Sequence, residues 1–306
     1  MSEVIDFNEL KASNVLPSPN GVRLKVMRLC QNEQVSLLEL AKQIQTDPVM
    51  AGRMIKIANV ANANRRRPVA SVTTDVLILV GLQAVRQIVL GISLVTSYQD
   101  GGCKGFNYAQ FWSRSVAMAC AAQALTGYIR IAPTAEMFTC GLLAGIGRLG
   151  LASARPTAYS RLLQEYQDKP LADMTVAETQ LFGFNHLSLA AAMMSDWSIP
   201  RLFSDSVLFH EAPQASGFAE DARQQRLVRI LQMAAYIADI CIAADDERES
   251  MIPALLEFGR AVGIEQEQVA TVVSKTSIEW AEWGEVLQVQ TRPLPPLPLL
   301  DENAAQ

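Results

Sequence analysis

The segment Pro133–Leu151 constrains the fold more than any other stretch, because it combines apolar residues at helical spacing with several glycines. A proline at its start and an acidic residue soon after are typical of a helix N-terminus. Gly141, Gly145 and Gly147 would each cost such a helix about 1 kcal/mol relative to alanine. We therefore predict one buried helix whose glycines let a neighbouring backbone approach closely. Its apolar positions are Met137, Phe138, Leu142, Leu143, Ile146, Leu149 and Leu151.

Helical signals recur along the rest of the chain. Ser36 with Glu39 forms a capping-box pattern, and Asp47-Pro48 is a second helix start. We find no alternating strand pattern of useful length, so the chain is predicted to be all-α. Further helices are predicted at about Gly21–Gln31, Phe106–Ile131, Thr157–Tyr166, Thr175–Phe182, His186–Trp197, Pro200–His210, Asp221–Ala244, Met251–Val262 and Glu265–Trp283.

The composition indicates which partners to expect and in which cell compartment the protein acts. The chain of 306 residues has a net charge of −5, whereas a nucleic-acid-binding surface is basic, so a nucleic-acid partner is not expected. Its five cysteines are odd in number and form no CxxC motif, as in a reduced cytoplasmic protein. The N-terminus has no signal-peptide pattern. Val76–Val95 is apolar, but polar residues and Gly81 interrupt it, so we predict two core helices rather than a membrane span.

The glycine-rich segment resembles the HD superfamily of metal-dependent phosphohydrolases, whose motif here reads LLHDIGKL. In Gly141–Leu149, GLLAGIGRL, the motif histidine is replaced by Ala144 and the aspartate by Gly145. Three further segments are similar to HD-type motifs. In FWSRS, Arg114 replaces a histidine, whereas His186 in FNHLSLAAAMMSDWSIP and His210 in LFHEAP keep theirs.

The N-terminal part resembles HDOD domains, a catalytically degenerate branch of that superfamily. The string ELAKQIQTDPVMAGRMIKIANVAN carries the family's DP step at Asp47-Pro48 and an Ala58-Asn59 pair. The resemblance implies two helical lobes, the second HD-like, over about residues 16–213. The N-terminal lobe would span about 16–100 and the HD-like lobe about 106–213, with a seam at Asp100–Gly105. Residues 1–15 would be an N-terminal segment, 214–290 a C-terminal helical extension, and 291–306 a proline-rich linker.

The residues at the former metal positions leave two interpretations open. Arg114, His186 and His210, beside Ala144 and Gly145, could form a vestigial pocket in which the guanidinium binds a carboxylate or phosphate. Alternatively, Arg114 makes a structural ion pair with Glu211 or Glu178, and both histidines are neutral and hydrogen-bonded. Because an HD-type metal needs several imidazoles and carboxylates, no metal and no cofactor are expected.

The resemblance implies a non-catalytic regulatory module of bacterial signal transduction. Such modules act through protein contacts and are often joined to receiver, GGDEF or EAL domains. The alternatives are a small-anion or nucleotide sensor that uses the vestigial pocket and, less favoured, a metal-dependent HD phosphohydrolase. Trp280 and Trp283 lie one helical turn apart ahead of the linker, where they form either part of the core or a docking surface.

Overall fold

A computed structural model describes residues 7–13, 15–18, 26, 29, 36–61, 69–167, 169–197 and 199–295. Across these ranges it contains helices and no β-strand, as predicted for an all-α chain. The first helices are α1 (Phe7–Ala12), α2 (Leu37–Gln45), α3 (Pro48–Ala61), α4 (Thr74–Val80) and α5 (Leu82–Ser97). They are followed by α6 (Tyr108–Leu125), α7 (Thr134–Leu143), α8 (Ile146–Ala154), α9 (Pro156–Glu165) and α10 (Leu171–Phe182). The last are α11 (His186–Asp196), α12 (Arg201–Phe209), α13 (Arg223–Ile242), α14 (Asp245–Val262) and α15 (Gln266–Leu287).

The chain divides into two compact units. The first comprises Asp100–Gly284 with the described parts of both chain ends, and the second comprises the described part of Ser18–Gln99 with Glu285–Val289. The helix predicted at Gly21–Gln31 lies outside the described residues, apart from two helical positions within it. Helix α1 belongs to the first unit, where Lys11 pairs with Asp196 of α11.

The second unit has the helix boundaries that its capping residues predict. Ser36 Oγ accepts the backbone N–H of Glu39 at 3.4 Å, and Asp47 Oδ1 accepts that of Met50 at 3.1 Å. Gly81, with φ of 84°, separates α4 from α5, so the apolar stretch Val76–Val95 is two helices as predicted. The Asn59 side chain holds the backbone of Val69 through two hydrogen bonds, of 3.0 and 2.6 Å. Asn59, of the Ala58-Asn59 pair, therefore holds the backbone of Val69 beside α3.

The first unit is built around α6, which is buried along most of its length. Helices α7 and α13 pack against α6, and α11 packs against both α8 and α12. Small side chains of α6 make this close packing possible, since alanine leaves room for neighbouring backbones. Fully buried or nearly so are Ala117, Ala119, Cys120, Ala121, Ala122 and Ala124.

The prediction of a single helix over Pro133–Leu151 is wrong. The segment forms α7 and α8, separated by Ala144 and Gly145. Gly145 has φ of −87° and ψ of 1°, values outside the helical region, and its carbonyl accepts the N–H of Arg148 at 2.9 Å. The break therefore falls on the two residues that replace the His-Asp pair of the HD motif.

A second difference concerns the acidic stretch Ala244–Ser250, which lies between the helices predicted at Asp221–Ala244 and Met251–Val262. It forms the first turns of α14. Glu247 Oε2 accepts the N–H of Ala244 at 3.2 Å, and Asp245 and Asp246 also lie in this first turn. Acidic side chains there stabilise the positive end of the helix dipole, so the charge run marks a helix start.

Among the described residues, one stretch is long and apolar enough to cross a membrane. It is Thr134–Ala154, the α7–α8 segment, and 78% of its most apolar window is buried inside the protein. A core helix of a folded domain passes the same test of length and composition. Four cysteines, Cys103, Cys120, Cys140 and Cys241, are buried and form no disulfide.

The C-terminal helix α15 is anchored to the first unit by both of its tryptophans. Trp280 is 1% exposed and its indole N–H donates to the Ser113 carbonyl at 2.9 Å. The Trp283 ring packs on Phe138 with 4.7 Å between ring centroids. The suggestion of an exposed docking surface at these two residues is therefore wrong for Trp280, because the indole is part of the core.

Candidate functional site

The structure places the five HD-derived positions on four elements of the first unit. Ala144 and Gly145 form the α7–α8 junction, and Arg114 lies in α6. His186 is the first residue of α11, and His210 is the C-cap of α12.

Glycines set the close approach of the helices that carry these positions. A Cβ on Gly147 would lie inside van der Waals contact with the His186 carbonyl oxygen and 2.8 Å from the Ala190 nitrogen. A Cβ on Gly141 would lie 2.6 Å from the Met118 carbonyl oxygen of α6. The predicted close approach of a neighbouring backbone is thus confirmed at Gly141 and Gly147. At Gly147 it lets α8 pack directly against the first turn of α11.

Glu178 of α10 holds His186 from one side. Its Oε2 atom accepts both the backbone N–H of His186, at 2.8 Å, and the ring Nδ1–H, at 2.6 Å. The other carboxylate oxygen accepts the hydroxyl of Tyr159 at 3.1 Å. Glu178 is 0% exposed, so these three hydrogen bonds supply the partners that a buried carboxylate requires.

Glu211 holds the same imidazole from the other side. Its Oε1 atom lies 3.1 Å from Nε2 of His186 and 3.2 Å from Nη2 of Arg148. Nη2 of Arg148 also lies 3.4 Å from Nε2 of His186. A carboxylate only accepts hydrogen bonds, so the carboxylate beside each ring nitrogen favours the imidazolium form of His186. We name the connected set Tyr159, Glu178, His186, Glu211 and Arg148 the imidazolium network.

The pKa directions follow from this geometry. Burial lowers the pKa of His186, and so does the nearby Arg148 charge, but the hydrogen bonds to Glu178 and Glu211 outweigh both and raise the pKa above its ordinary value. Burial raises the pKa of Glu211, yet its bond to His186 and the charges of His186 and Arg148 hold that pKa well below the ordinary value. The raised pKa disfavours the neutral His186 that the sequence predicts, because the sequence does not show that two carboxylates converge on the ring.

His210 has a different environment. Its Nδ1–H donates to the Val207 carbonyl at 2.6 Å, and burial lowers the pKa of the imidazole below its ordinary value. His210 is therefore the neutral, hydrogen-bonded histidine that the sequence predicts.

Arg114 pairs with neither of its predicted partners. Its Nε and Nη2 donate to the two carboxylate oxygens of Asp239, at 2.6 and 3.1 Å. Asp239 lies on α13, which packs directly against α6. The sequence predicts a structural ion pair for Arg114 but not this partner. The available signal was a single acidic residue in the otherwise apolar run AAYIADICI.

The residues present do not fit the metal that an HD-type site would hold. Ala144 and Gly145 offer no side-chain donor atom, and both ring nitrogens of His186 already contact carboxylates. Arg114 and Arg148 add positive charge, which disfavours a cation. Within the described ranges, no group of three or more His, Cys, Asp or Glu side chains is arranged to hold a metal ion.

Comparisons with known proteins agree on the fold. No curated protein matches the sequence. The MmoQ response regulator of Methylococcus capsulatus is 35% identical, with a TM-score of 0.52, over 82% of this chain and 95% of that one. A candidate phosphohydrolase of Shewanella amazonensis is 24% identical, with a TM-score of 0.70, over 91% and 98% of the two chains.

A third solved structure and a family model complete the comparison. An HDOD domain protein of unknown function from Geobacter sulfurreducens is 19% identical, with a TM-score of 0.68, over 91% of this chain and 96% of that one. The family model for the HDOD domain matches residues 16–213. The chain belongs to the HDOD domain family.

Proposed function

We propose that this HDOD chain is a non-catalytic regulatory module of bacterial signal transduction. The observation that carries the proposal is the state of the former metal site. Two ligand positions hold Ala144 and Gly145, and the retained His186 is bound on both ring nitrogens. A metal-dependent hydrolase needs an ion with open coordination positions to activate water and neutralise phosphate charge. The imidazolium network is instead a closed set of hydrogen bonds and ion pairs, so His186 has no free ring nitrogen to offer an ion.

The relative with the higher sequence identity supports the signalling part of the proposal. MmoQ is named a response regulator, and this chain covers 95% of it at 35% identity. The module would work through contacts with a signalling protein or with a fused receiver, GGDEF or EAL domain. The buried, unpaired thiols suit the reducing cytoplasm, where such proteins act.

The two alternative functions have less support from the geometry. An anion sensor at the vestigial pocket would need Arg114 to release Asp239, which occupies its planar fork through two hydrogen bonds. A phosphohydrolase would need His186 to break away from a buried carboxylate. The second change would leave a buried charge without its partner, at a cost of several kcal/mol. The first would cost less, because the side chains of Arg114 and Asp239 are 24% and 42% exposed.

Metal analysis and activity assays on the purified chain test the non-catalytic part. We expect no stoichiometric Mn, Fe or Ni by elemental analysis, and no hydrolysis of cyclic dinucleotides or phosphomonoesters with added Mn²⁺. A bound metal together with turnover that disappears in His186→Ala would overturn the proposal. The variant separates activity at this site from that of a contaminating enzyme.

Hydrogen exchange tests the regulatory part. We expect that a cognate receiver, GGDEF or EAL domain changes the protection of amides in α15, the last helix of the described residues. Amides of α8 serve as the internal control, because that helix is in the buried core. Unchanged protection in α15 with every such domain would leave the regulatory role without support.

A further inference from the structure

A small polar cavity of about 110 Å³ lies in the first unit, where the start of α13 meets the end of α14. We name it the arginine cavity, because Arg226 and Arg229 of α13 both line it. Its other walls include Glu220 from the loop before α13, Ile129 from the loop after α6, and Val262 at the end of α14. None of the five HD-derived positions lines it, so it is separate from the former metal site.

Arg226 brings an unpaired positive charge to this cavity. It lies in the first turn of α13 and is exposed, so a ligand can reach its guanidinium from solvent. Its side chain makes no hydrogen bond or ion pair with any residue that the structure describes. A guanidinium offers its donors in a planar fork that matches the oxygens of a phosphate or carboxylate. Arg226 therefore has its full donor capacity available for an anion.

The cavity already accepts one anionic group, which comes from the chain itself. Arg229 lies one turn after Arg226, and its Nη2 donates to the carboxylate of Glu220. The Glu220 side chain is 75% exposed, so its carboxylate can return to solvent at little cost. Glu220 is therefore an internal competitor that an anion from solution can replace on Arg229.

The charge around the cavity is positive, although the whole chain carries a net charge of −5. Two arginines against one glutamate leave a net charge of +1 in the lining. A third arginine is held close by, because Nε of Arg223 donates at 2.8 Å to the carbonyl of Ile131, two positions after Ile129. The positive end of the α13 dipole and the negative end of the α14 dipole oppose each other here, so the arginines set the sign.

Size narrows the class of ligand. A volume of 110 Å³ corresponds to about four water molecules, well below the roughly 300 Å³ at which pockets for whole organic ligands begin. The cavity therefore holds one oxyanion group and no sugar ring or base. Phosphate matches it better than a carboxylate does, because phosphate brings up to two negative charges and three or more acceptor oxygens to several guanidinium groups.

We propose that the arginine cavity binds a phosphate group, either free or at the end of a small ester. Arg226 donates to the phosphate oxygens, and Arg229 joins it by exchanging Glu220 for the ligand. All lining residues except Ile129 lie beyond residue 213, where the family match ends, so the site belongs to this chain's extension. The proposal goes beyond the regulatory role and does not depend on it.

Calorimetry and thermal unfolding of the full chain test the site. The chain used includes residues 296–306 of the predicted linker, which lie outside the described residues. The probes are inorganic phosphate and glycerol phosphate, with acetate as the carboxylate comparison and NaCl at matched ionic strength as the reference. We expect phosphate to bind and to raise the melting temperature above the NaCl reference, and acetate to do so less. Binding of glycerol phosphate as well identifies an ester, and binding of inorganic phosphate alone identifies free phosphate.

Two substitutions should change this binding in opposite directions. Arg226→Gln should weaken phosphate binding at least about tenfold, because it removes the unpaired charge. Glu220→Gln should tighten it about threefold or more, because it removes the competing carboxylate, and this exposed loop residue tests the same site if Arg226→Gln fails to fold. Arg201→Gln is the matched control, because its side chain is 91% exposed and does not line the cavity.

Three results would overturn the proposal. The first is that phosphate acts no more strongly than NaCl on the wild type and on Glu220→Gln. The second is that the folded variants of Arg226 and Glu220 bind phosphate as the wild type does. The third is that acetate binds as tightly as phosphate, which would make the cavity a general carboxylate site.

Discussion

At the scale of single residues, this HDOD chain has histidines in two HD-like segments, His186 and His210, and their surroundings differ. In a metal site the imidazole must be neutral to donate a lone pair. Here Glu178 and Glu211 approach the two ring nitrogens of His186, which raises its pKa and favours the cationic ring. His210, with one carbonyl partner and a buried ring, is held neutral. The two histidines therefore have pKa values displaced in opposite directions.

This opposition predicts two separate titrations, and the chain has two histidines to observe. His186 should titrate above the ordinary value of about 6.5, and His210 below it. The imidazole resonances followed by NMR against pH would measure both, and His210→Gln would assign them. A single titration near the ordinary value for both rings would contradict the imidazolium network.

The sign of the stability effect follows by linkage. The folded state holds the His186 proton more tightly, so its contribution is complete below the unfolded pKa and is lost as pH rises to the raised folded value. The folded state holds the His210 proton less tightly, so its contribution is present above the unfolded pKa and is lost as pH falls to the lowered value. Stability should therefore decline on both sides of about pH 6.5, and each histidine variant should remove one decline.

Glu178 accepts three hydrogen bonds in the imidazolium network, and its charge should contribute more to stability than its shape. Glu178→Gln keeps the volume but leaves the buried imidazolium facing a neutral amide, which should lower the free energy of unfolding by about 3–5 kcal/mol. Asp173→Asn, on the exposed face of the same helix, should change it by less than about 1 kcal/mol. Urea unfolding measures both. Equal effects of the two substitutions would show that the Glu178 charge has no special role.

At the scale of elements, the glycines of the HD-like segment decide how close the helices lie. Gly141 faces the backbone of α6 and Gly147 that of α11, whereas Gly145 meets only the side chain of Phe111. The first two permit close packing, and the third lies at a helix break. The sequence predicts the close packing because glycine destabilises a helix and is favoured in an apolar helical run where another backbone comes close. It does not predict the break, because helical periodicity continues across Ala144 and Gly145.

Gly147→Ala tests this packing. The added Cβ would overlap the His186 carbonyl, and the backbone cannot rotate away as a side chain can. We therefore expect the free energy of unfolding to fall by about 3 kcal/mol or more. Gly52→Ala is the matched control, since Gly52 is a helical glycine of α3 with nothing within 4 Å of a Cβ. That substitution should leave stability unchanged or raise it by about 0.5–1 kcal/mol. A small loss for Gly147→Ala would mean that α8 and α11 can separate at little cost.

Ion pairs between different helices are the part of the site that the sequence predicts least well. Glu178 and Glu211 lie near the motif segments in the sequence. Their convergence on one ring depends on how α10, α11 and the end of α12 meet. Asp239 was missed because it lies more than a hundred positions after Arg114 in the chain, outside every HD-like segment. Local patterns fix helices and caps, whereas ion pairs between distant helices are fixed by packing.

At the scale of the molecule, the folded unit is larger than the family match. The match ends at residue 213, yet α13 packs against α6 and supplies Asp239 to Arg114. Most of the apolar face of α13 is buried: Leu227, Val228, Ile230, Leu231, Met233, Ala234, Ile237, Ala238 and Ile240. Helix α15 adds a buried indole hydrogen-bonded to α6. The extension is therefore part of the core of the first unit.

A chain ended at Pro213 should consequently fail to form this core, although it contains the whole matched segment. Each large apolar side chain of α13 contributes about 1.5–3 kcal/mol by burial, and several together exceed the 5–15 kcal/mol by which a typical domain is stable. We expect the shortened chain to lose near-ultraviolet circular dichroism and cooperative urea unfolding, with helical far-ultraviolet signal partly retained. A chain ended at Pro295 is the control and should unfold as the full chain does, because every described helix remains. Cooperative unfolding of the chain ended at Pro213, at the urea midpoint of the full chain, would mean that α6 is stable without α13 and that the extension is a separate domain.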